Sequence, residues 1–399
     1  MSLKIAIISD GFGESTLNLV KALSKKGYIV DCYFIVFDNV EINGLETSSN
    51  NKLGKLNILT PHNSVGINFI SNYPSTNVYL YRMPKLGINL NTFLKKIYSF
   101  IPRLYLKRLA QLINKKGYNF VDLITLLPIY NLFQKYICSP LVLSAHEIFV
   151  SHFQDKVLRP VVAQCLISNG DIRVFSMNQK RELLQNTSWS HNIFNIPFGK
   201  FETLDSFPST FIDELNHIED YVLFVGYITP YKGLNELYNA FLPLKGKGIK
   251  LVIAGKGSDP SLRLFSELNN TIVINRRLRN DELITLIRKS KFVVCPYSSA
   301  SQSGIPQTAY VFNKPIIASS VGAFPDVVIH GQTGFLYKYG DTDALRSYIV
   351  KLYEDEKTYS KFVENINKFD DLKPEYSWNS IVDRYISMCH KVISANQTK

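Results

Sequence analysis

The feature that most constrains this chain is an alternation of short apolar runs and helical segments that occurs twice. Lys4–Ser9 has the composition of a buried strand, and residues 15–26 carry apolar side chains at helical spacing. The alternation restarts in the second half, with strands predicted over 221–226, 250–254, 271–275 and 292–295 and helices over 233–242 and 281–288. Strands that alternate with helices predict a parallel, doubly wound sheet. We therefore expect an α/β protein with two such domains.

The first half continues the same pattern, with further strands predicted over 28–36, 66–70, 78–82, 121–126, 141–144, 172–175 and 193–196. Residues 205–219 carry Asp, Ser, Pro, Thr and His with little periodicity, and they are the predicted linker. A long helix is predicted near the end of the chain, over Ser377–Ser394. These boundaries give a first domain over 1–204 and a second over 220–374.

The composition fits such a chain. Of the 399 residues, 46% are apolar and 20% are charged, which favours two packed cores and argues against disorder. The five cysteines are widely separated, so neither a disulfide framework nor a zinc site is expected. Met1–Asp10 reads as a strand rather than a signal peptide, and no apolar run approaches the length of a membrane span. The expected location is the cytoplasm.

Residues 292–319 predict a nucleotide-binding βαβ unit. An apolar run ends at Cys295-Pro296, a small polar loop follows at Ser298–Gly304, and Ile305–Phe312 can form a short helix before the strand Ile316–Ser319. The backbone amides of such a loop and the positive end of the helix dipole favour an anion or a polar sugar.

A second loop offers a cation for the same purpose. Gly226 to Gly233 reads Gly-Tyr-Ile-Thr-Pro-Tyr-Lys-Gly, and it links a predicted strand to a predicted helix. A lysine about 4 Å from a diphosphate contributes about 4 kcal/mol at an effective dielectric constant of about 20. The alternative interpretation of Lys232 is a solvated side chain that precedes a helical glycine.

These two loops resemble the donor-binding region of family 4 glycosyltransferases of the GT-B fold. Gly226 to Gly233 is similar to the family's Gly-Arg…Lys-Gly motif, and Gly304-Ile305-Pro306 is similar to its Gly-Leu-Pro. The resemblance implies two Rossmann-like domains that face each other across a cleft, with 1–204 on the acceptor side and 220–374 on the nucleotide-sugar side. It also implies that a C-terminal helix within 375–399 crosses back and completes the first domain.

The resemblance assigns site residues by position. Lys232 is the expected catalytic cation beside the pyrophosphate. Arg276 and Arg277 face either the diphosphate or only solvent. The donor-binding residues that it implies are Gly226, Lys232, Arg276, Arg277, Leu278, Ser301, Gln302, Ser303, Gly304 and Ile305.

The chain departs from the family pattern at two places. Tyr227 stands where the family usually has a phosphate-binding arginine. Ser301 and Ala309 occupy the two positions of the family's Glu-x7-Glu motif, so neither carboxylate is present. The Ser-Gln-Ser-Gly form looks like a bacterial variant in which Gln302 and loop amides grip the sugar and phosphate. The alternative is a degenerate, inactive copy.

The first half contributes fewer candidates. His146 follows the strand predicted over 141–144, and strand ends face the cleft in doubly wound folds. The family often has a histidine here, close to the reacting sugar carbon, although a lone histidine is more often structural. Gly11, Phe12 and Gly13 form the first βα turn, a predicted phosphate or acceptor loop that lacks the third glycine of a dinucleotide site. Glu147 is a weaker candidate.

No metal site is predicted. Asp341-Thr342-Asp343 has the spacing of an Asp-x-Asp metal motif, but it precedes a helical segment, so Asp341 or Thr342 is expected to cap that helix.

The net charge of +12 predicts a polyanionic partner. Residues 92–116 combine seven lysines and arginines with many apolar residues, a basic amphipathic pattern that can lie on anionic lipid. The alternative is an ordinary helix whose apolar face packs on the sheet. Nucleic acid is not an expected partner, since no basic-aromatic binding motif is present.

The resemblance implies a retaining, metal-independent hexosyltransferase that needs no cofactor and uses a nucleotide sugar as substrate, with UDP- or GDP-sugar as the expected donor. The expected acceptor is a saccharide or a lipid-linked saccharide of surface polysaccharide or lipopolysaccharide assembly, at the inner face of the cytoplasmic membrane. The alternative function is a catalytically degenerate GT-B binding subunit of a glycosylation complex.

Overall fold

The protein folds around two parallel-rich sheets. The computed structural model describes residues 3–37, 46–47, 52–62, 64–65, 67–84, 92–150 and 157–397. The two sheets confirm the sequence-based fold class, α/β with two doubly wound, Rossmann-like domains.

The first sheet has eight strands in the order β10-β9-β8-β7-β1-β2-β6-β4, and only β4 runs antiparallel to its neighbour. A separate antiparallel pair is formed by β3 and β5. The strands are β1 (Lys4–Ser9), β2 (Ile29–Phe37), β3 (Glu46–Thr47), β4 (Leu56–Leu59), β5 (Ser64–Val65), β6 (Thr76–Met83), β7 (Phe120–Ile124), β8 (Leu141–Ser144), β9 (Asp171–Val174) and β10 (Ile193–Asn195). The helices of this half are α1 (Gly13–Lys25), α2 (Thr92–Asn114), α3 (Tyr130–Tyr136), α4 (Pro160–Ile167) and α5 (Met177–Asn186).

The second sheet is entirely parallel, in the order β13-β12-β11-β14-β15-β16. Its strands are β11 (Tyr221–Val225), β12 (Leu251–Ala254), β13 (Thr271–Ile274), β14 (Ser290–Cys295), β15 (Ile316–Ser319) and β16 (Gly334–Tyr337). The helices are α6 (Leu234–Phe241), α7 (Asn280–Lys289), α8 (Ile305–Val311), α9 (Phe324–Val327), α10 (Thr342–Glu354), α11 (Glu356–Asn367), α12 (Phe369–Leu372) and α13 (Trp378–Gln397).

Both sheets have a point at which the strand order reverses. In the first sheet β1 lies between β2 and β7, and in the second β11 lies between β12 and β14. Ligands of doubly wound sheets bind outside the carboxyl ends of the strands at such points. The loops after β1, β11 and β14 are those singled out in the sequence.

The last helix belongs to the core of the first sheet. Ile381, Tyr385 and Cys389 of α13 are buried together with Ile5 and Ile7 of β1. Just before it, Tyr376 packs in the core of the second sheet. The chain therefore passes between the two sheets a second time just before α13.

The segment between β10 and β11 is packed rather than loose. It contains two 3-10 turns, Glu202–Ser206 and Asp213–Leu215. Phe198 and Phe201 cluster with Phe175 of the first half and Ile284 of the second. The indole N–H of Trp378 donates a hydrogen bond to the Lys200 carbonyl oxygen, with an N–O distance of 2.8 Å, so the two passages of the chain are bonded to each other.

The strand predicted over 66–70 is wrong. Asn68–Asn72 forms a 3-10 helix, in which the Ser71 hydroxyl donates to the Asn68 carbonyl at 2.8 Å. Short polar side chains that bond to nearby backbone compete with strand formation.

Within the described ranges, no helix is both long enough and apolar enough to span a bilayer.

Candidate active site between the two sheets

The loops after β11 and β14 are held against each other by backbone contacts. The Ser298 amide donates to the Tyr231 carbonyl at 2.8 Å. Gly233 is the N-cap of α6 and has a φ of 76°. A Cβ atom there would lie 1.7 Å from the Pro296 carbonyl oxygen. Only glycine permits this approach, because the positive φ and the steric limit act together. The second half of the site is thus fixed by its backbone.

Lys232 lies at this junction. Its Nζ atom is 3.8 Å from the ring centre of Tyr297, and the side chain is partly buried. Burial lowers the pKa of Lys232 to about 8, and the Cys295 thiol and Glu147 offset part of this effect. Within the described part of the chain, the ammonium forms neither an ion pair nor a hydrogen bond. Because no carboxylate of the described residues is ion-paired with this ammonium, it can stabilise the negative charge of a bound phosphate.

The loop from Ser298 to Gly304 separates two adjacent cavities. Gln302 and Gly304 line one of about 190 Å³, and Ser301 lines another of about 140 Å³. The side-chain Oε1 of Gln302 is buried and has no hydrogen-bond partner among the described residues. A buried polar atom without a partner is costly, so this acceptor is available to a bound hydroxyl or amide.

The end of this loop is the start of α8. Ser303 accepts a hydrogen bond of 3.4 Å from the Ile305 amide, and Gly304 packs against the ring of Phe201. The structure therefore brings Gln302, Ser303, Gly304 and Ile305 to the boundary between the two halves.

The two positions of the missing carboxylates differ in environment. Ser301 lines a cavity, whereas Ala309 is fully buried in the core of the second sheet. Gln307, which the sequence analysis did not single out, is 2% exposed, and neither polar atom of its amide has a partner in the described part of the chain. Nothing in the sequence pattern distinguished it from an ordinary helical residue.

The arginines after β13 are placed differently from Lys232. Arg276 forms ion pairs with Glu214 at 2.8 Å and Glu282 at 2.9 Å, which raises its pKa. Its guanidinium connects the segment before β11 to α7. Arg277 is exposed, and Leu278 packs against the second core. Donor binding by these three residues stays a prediction, and the ion pairs of Arg276 do not support it.

His146 lies across the cleft, inside a group of aromatic rings. Its ring is stacked on Phe12 with centres 3.6 Å apart, and Phe175 and Phe198 lie 4.6 and 5.0 Å away. Burial, and secondarily the charge of Arg173, holds the pKa of His146 well below its usual value. The imidazole is therefore neutral at physiological pH. Its Nε2 lies 3.4 Å from the Ser15 hydroxyl, and its edge lines the 190 Å³ cavity together with Gln302.

The turn Gly11-Phe12-Gly13 ends where α1 begins. Phe12 has a φ of 52°, and its carbonyl accepts a hydrogen bond of 3.0 Å from the Thr16 amide. The left-handed residue directs the Phe12 ring onto His146. The first turn of α1 and the start of α8 thus approach the same cavity from opposite sides.

Two carboxylates also line this cavity, Glu14 and Glu147. Glu147 is ion-paired with Arg159. Glu14 has no cationic partner among the described residues, and burial raises its pKa to about 7. Sequence reasoning missed Glu14, although its place directly after the glycine turn was a usable signal. A carboxyl group with this pKa exchanges protons near neutrality.

Behind the aromatic rings is a buried polar group. Asp122 is fully buried and accepts hydrogen bonds from Ser144 at 2.6 Å and from Tyr385 of α13 at 2.9 Å. Arg173 pairs with Asp122 at 3.4 Å and lies over the ring of Phe175. The last helix is therefore connected to the wall of the cleft.

Asp341 caps α10, since its carboxylate accepts a hydrogen bond of 3.0 Å from the Ala344 amide. The helix-cap interpretation of Asp341-Thr342-Asp343 is confirmed.

Curated relatives match parts of the chain. MJ1178, an uncharacterised glycosyltransferase of Methanocaldococcus jannaschii, is 27% identical over 168 residues, which is 40% of this chain and 45% of that protein. The capsular polysaccharide biosynthesis glycosyltransferase CapM of Staphylococcus aureus is 29% identical over 140 residues, 33% of this chain and 36% of that protein. The chain thus spans less than half the length of these relatives.

Solved structures match nearly the whole fold. The catalytic domain of starch synthase IV from Arabidopsis thaliana, bound to ADP and acarbose, has a TM-score of 0.67 at 14% identity and covers 99% of this chain and 100% of that chain. The HepE protein of Anabaena in complex with UDP and glucose has a TM-score of 0.64 at 15% identity, with 98% and 100% covered. At such identities the likeness concerns the fold alone.

A family model completes this picture. It describes the glycosyl transferases group 1 and matches residues 209–369, which include β11, β14 and the loops that hold Lys232 and Gln302. The second half of this chain is therefore similar to a glycosyl transferases group 1 domain.

Proposed function

We propose that the protein transfers a sugar from a nucleotide-diphosphate sugar to a saccharide or lipid-linked saccharide, with retention of configuration and without a metal ion. The observation that carries the proposal is Lys232, a partly buried ammonium over the Tyr297 ring with no ion pair or hydrogen bond in the described part of the chain. It lies where the loops after β11 and β14 meet.

The catalysis that this site supports is mainly electrostatic stabilisation of the leaving group. The bond between the sugar carbon and the diphosphate oxygen breaks, and the acceptor oxygen bonds to the same carbon on the same face. The acceptor proton passes to the departing phosphate. Lys232 and the amides of the loop before α8 stabilise the negative charge that develops on the diphosphate. The neutral His146 shapes the wall beside the sugar and is not a strong base.

The finer assignments are supported by analogy. UDP- and GDP-sugars are the proposed donors, and UDP is the nucleotide bound by the HepE structure of similar fold. A role in surface polysaccharide assembly is supported by the name of the relative CapM. We place the protein in the cytoplasm, at the inner face of a membrane that carries its acceptor.

A second candidate is a non-catalytic binding subunit. It is favoured by Ser301 and the buried Ala309, which leave the donor loop without either carboxylate of the family motif.

The deciding experiment is a thermal-shift screen with UDP, GDP, ADP and dTDP and their common sugars. A ligand that binds the folded state raises the melting temperature by mass action. We expect one nucleotide to stabilise the wild type and the Lys245→Ala control, which removes an exposed lysine of the same domain, but not Lys232→Ala. Transfer or hydrolysis of the matching sugar nucleotide then distinguishes an enzyme from a binding subunit. No shift at millimolar nucleotide would contradict donor binding.

A further inference from the structure

Outside the cleft, one face of the first half combines charge with exposed apolar side chains. It is built by α2 and by residues 52–58, which lead into and include part of β4. The Gly54 amide donates to the Arg82 carbonyl of β6 at 2.9 Å. A Cβ atom on Gly54 would lie 2.8 Å from the ring of Tyr105 in α2. The two segments are therefore in direct contact and form one surface, which we name the α2–β4 face.

Every charged residue among the described residues of this face is a lysine or an arginine. Its exposed cations are Lys52, Lys55, Arg103, Lys107 and Arg108. None of the five forms an ion pair with a carboxylate of the described part of the chain, in contrast to Lys21, Lys26 and Arg276. Cations without carboxylate partners are available to an external anion.

Apolar side chains lie between these cations. Leu53 and Ile58 are each 48% exposed, and Leu104 is 50% exposed. The rest of α2 follows the ordinary interpretation of the sequence, since Leu106, Leu109 and Ile113 are buried against the sheet. One side of this part of α2 is thus buried, and another side presents both cations and apolar side chains to solvent.

The position of α2 relative to the cleft can be read from its contacts. The Tyr81 hydroxyl, two residues before the carboxyl end of β6, donates to the Tyr105 carbonyl at 2.8 Å. The opposite end of the helix reaches the amino edge of the sheet, where Lys4 donates to the Lys116 carbonyl. The helix therefore runs from the carboxyl edge of the sheet toward the amino edge, so that its first half lies at the carboxyl-edge end, the edge that carries the Gly11 turn and His146.

We propose that the α2–β4 face docks on a bilayer of anionic phospholipid and so brings the cleft to the membrane surface. Each lysine or arginine near an anionic surface strengthens binding about fivefold. The leucines and the isoleucine can enter the interfacial region of the bilayer, as apolar residues of interfacial helices do. Exposed aromatic platforms, which single-stranded nucleic acid requires, are not among the described side chains of this face. With the cleft at the membrane surface, a lipid-linked acceptor would enter it directly from the bilayer. This consequence rests on the proposed function, whereas lipid binding does not.

The test uses the full chain and sedimentation with vesicles of phosphatidylcholine alone or with about one quarter phosphatidylserine. We expect binding to the mixed vesicles that weakens as salt is raised, and little binding to phosphatidylcholine. The variant Arg103→Gln/Lys107→Gln/Arg108→Gln should bind about 100-fold more weakly. The control Lys245→Gln/Lys247→Gln/Lys250→Gln changes net charge equally at exposed lysines of the second half and should bind like the wild type.

A second pair of variants distinguishes a loss of lipid binding from misfolding of the first triple variant. Lys52→Gln/Lys55→Gln lies on the other segment of the face and should weaken binding about 25-fold. Leu104→Asn should weaken binding with little change in its salt dependence. Equal binding by both triple variants, or tighter binding to single-stranded RNA than to the mixed vesicles at one salt concentration, would overturn the proposal. Because nucleotide-induced thermal shifts are measured separately, failure of the lipid test leaves donor binding unaffected, and the reverse also holds.

Discussion

The two walls of the cleft are built on different principles. On the wall that we propose binds the donor, here called the donor wall, position is set by close backbone approaches such as Gly233 against Pro296. On the wall that we propose faces the acceptor, here called the acceptor wall, position is set by stacked rings around His146 and by the buried group of Asp122, Arg173 and Tyr385. We therefore expect the donor wall to be more sensitive to an added methyl group than to the loss of a side chain, and the acceptor wall to be more sensitive to the loss of a side chain.

The largest effect should come from Gly233→Ala. The new Cβ meets the Pro296 carbonyl at 1.7 Å and the residue keeps a φ of 76°, so α6 and the Lys232 loop must shift. We expect destabilisation well beyond the roughly 1–2 kcal/mol of a left-handed alanine alone. Gly248→Ala is the matched control, with the same φ of 76° and nothing within 4 Å. Chemical denaturation of both variants measures the difference, and equal losses would show that the close approach is not required.

Lys232 tests whether the donor wall needs any side chain. Because its pKa is about 8, the ammonium loses its charge as pH rises through that value, and nucleotide affinity should fall. Between pH 7 and pH 9.5 we expect a decrease of about tenfold or more, since one pKa unit corresponds to about 1.4 kcal/mol. Lys232→Arg should remove this pH dependence, because arginine stays charged. Titration calorimetry with the nucleotide found in the screen is the measurement; a flat profile in the wild type would contradict a contact between Lys232 and phosphate.

Tyr385→Phe tests the acceptor wall through a single oxygen atom. It removes a donor to the fully buried Asp122, and leaving a buried acceptor short of a partner costs about 1–3 kcal/mol. Tyr376→Phe is the control, since the Tyr376 side chain is largely buried but its hydroxyl forms no hydrogen bond among the described residues. Thermal denaturation should separate the two variants. If they are equally stable, the polar group behind His146 contributes no positioning energy.

Glu14 is expected to affect only the pH dependence of stability. Its pKa in the folded state, about 7, lies above the ordinary value of 4.5, so between these values the native state holds more protons than the unfolded state. Stability should therefore fall as pH rises from 4.5 to 7, by about 1–3 kcal/mol for this group. Glu14→Gln should remove that part of the slope. The exposed Glu354→Gln should not, as denaturation curves at several pH values would show.

The donor wall was the more predictable of the two. Its features are local in sequence, since Gly226 to Gly233 and Ser298 to Gly304 are each a continuous motif next to an apolar strand. The alternation of apolar runs and helices predicted a parallel sheet, but it predicted neither the strand order nor the last strand, Gly334–Tyr337.

The acceptor wall could not be predicted in the same way. Phe12, His146 and Phe198 are far apart in sequence, and no spacing rule connects them. Arg276 shows the same limit: its position after a strand suggested a phosphate contact, and in the structure it pairs with Glu214, more than sixty residues away. Donor binding by Arg276 stays a prediction. Position along the chain identifies which edge of a sheet a residue reaches, but not which partner it finds there.

The bond between the Trp378 indole and the Lys200 carbonyl has a mechanical consequence. If the two passages were not bonded to each other, the two halves of the protein would be free to rotate about several axes and to slide. Because this bond holds the two passages side by side, we expect the halves to rotate mainly about the line that joins them. The Lys232 loop would then return to the His146 wall in the same alignment each time the cleft closes.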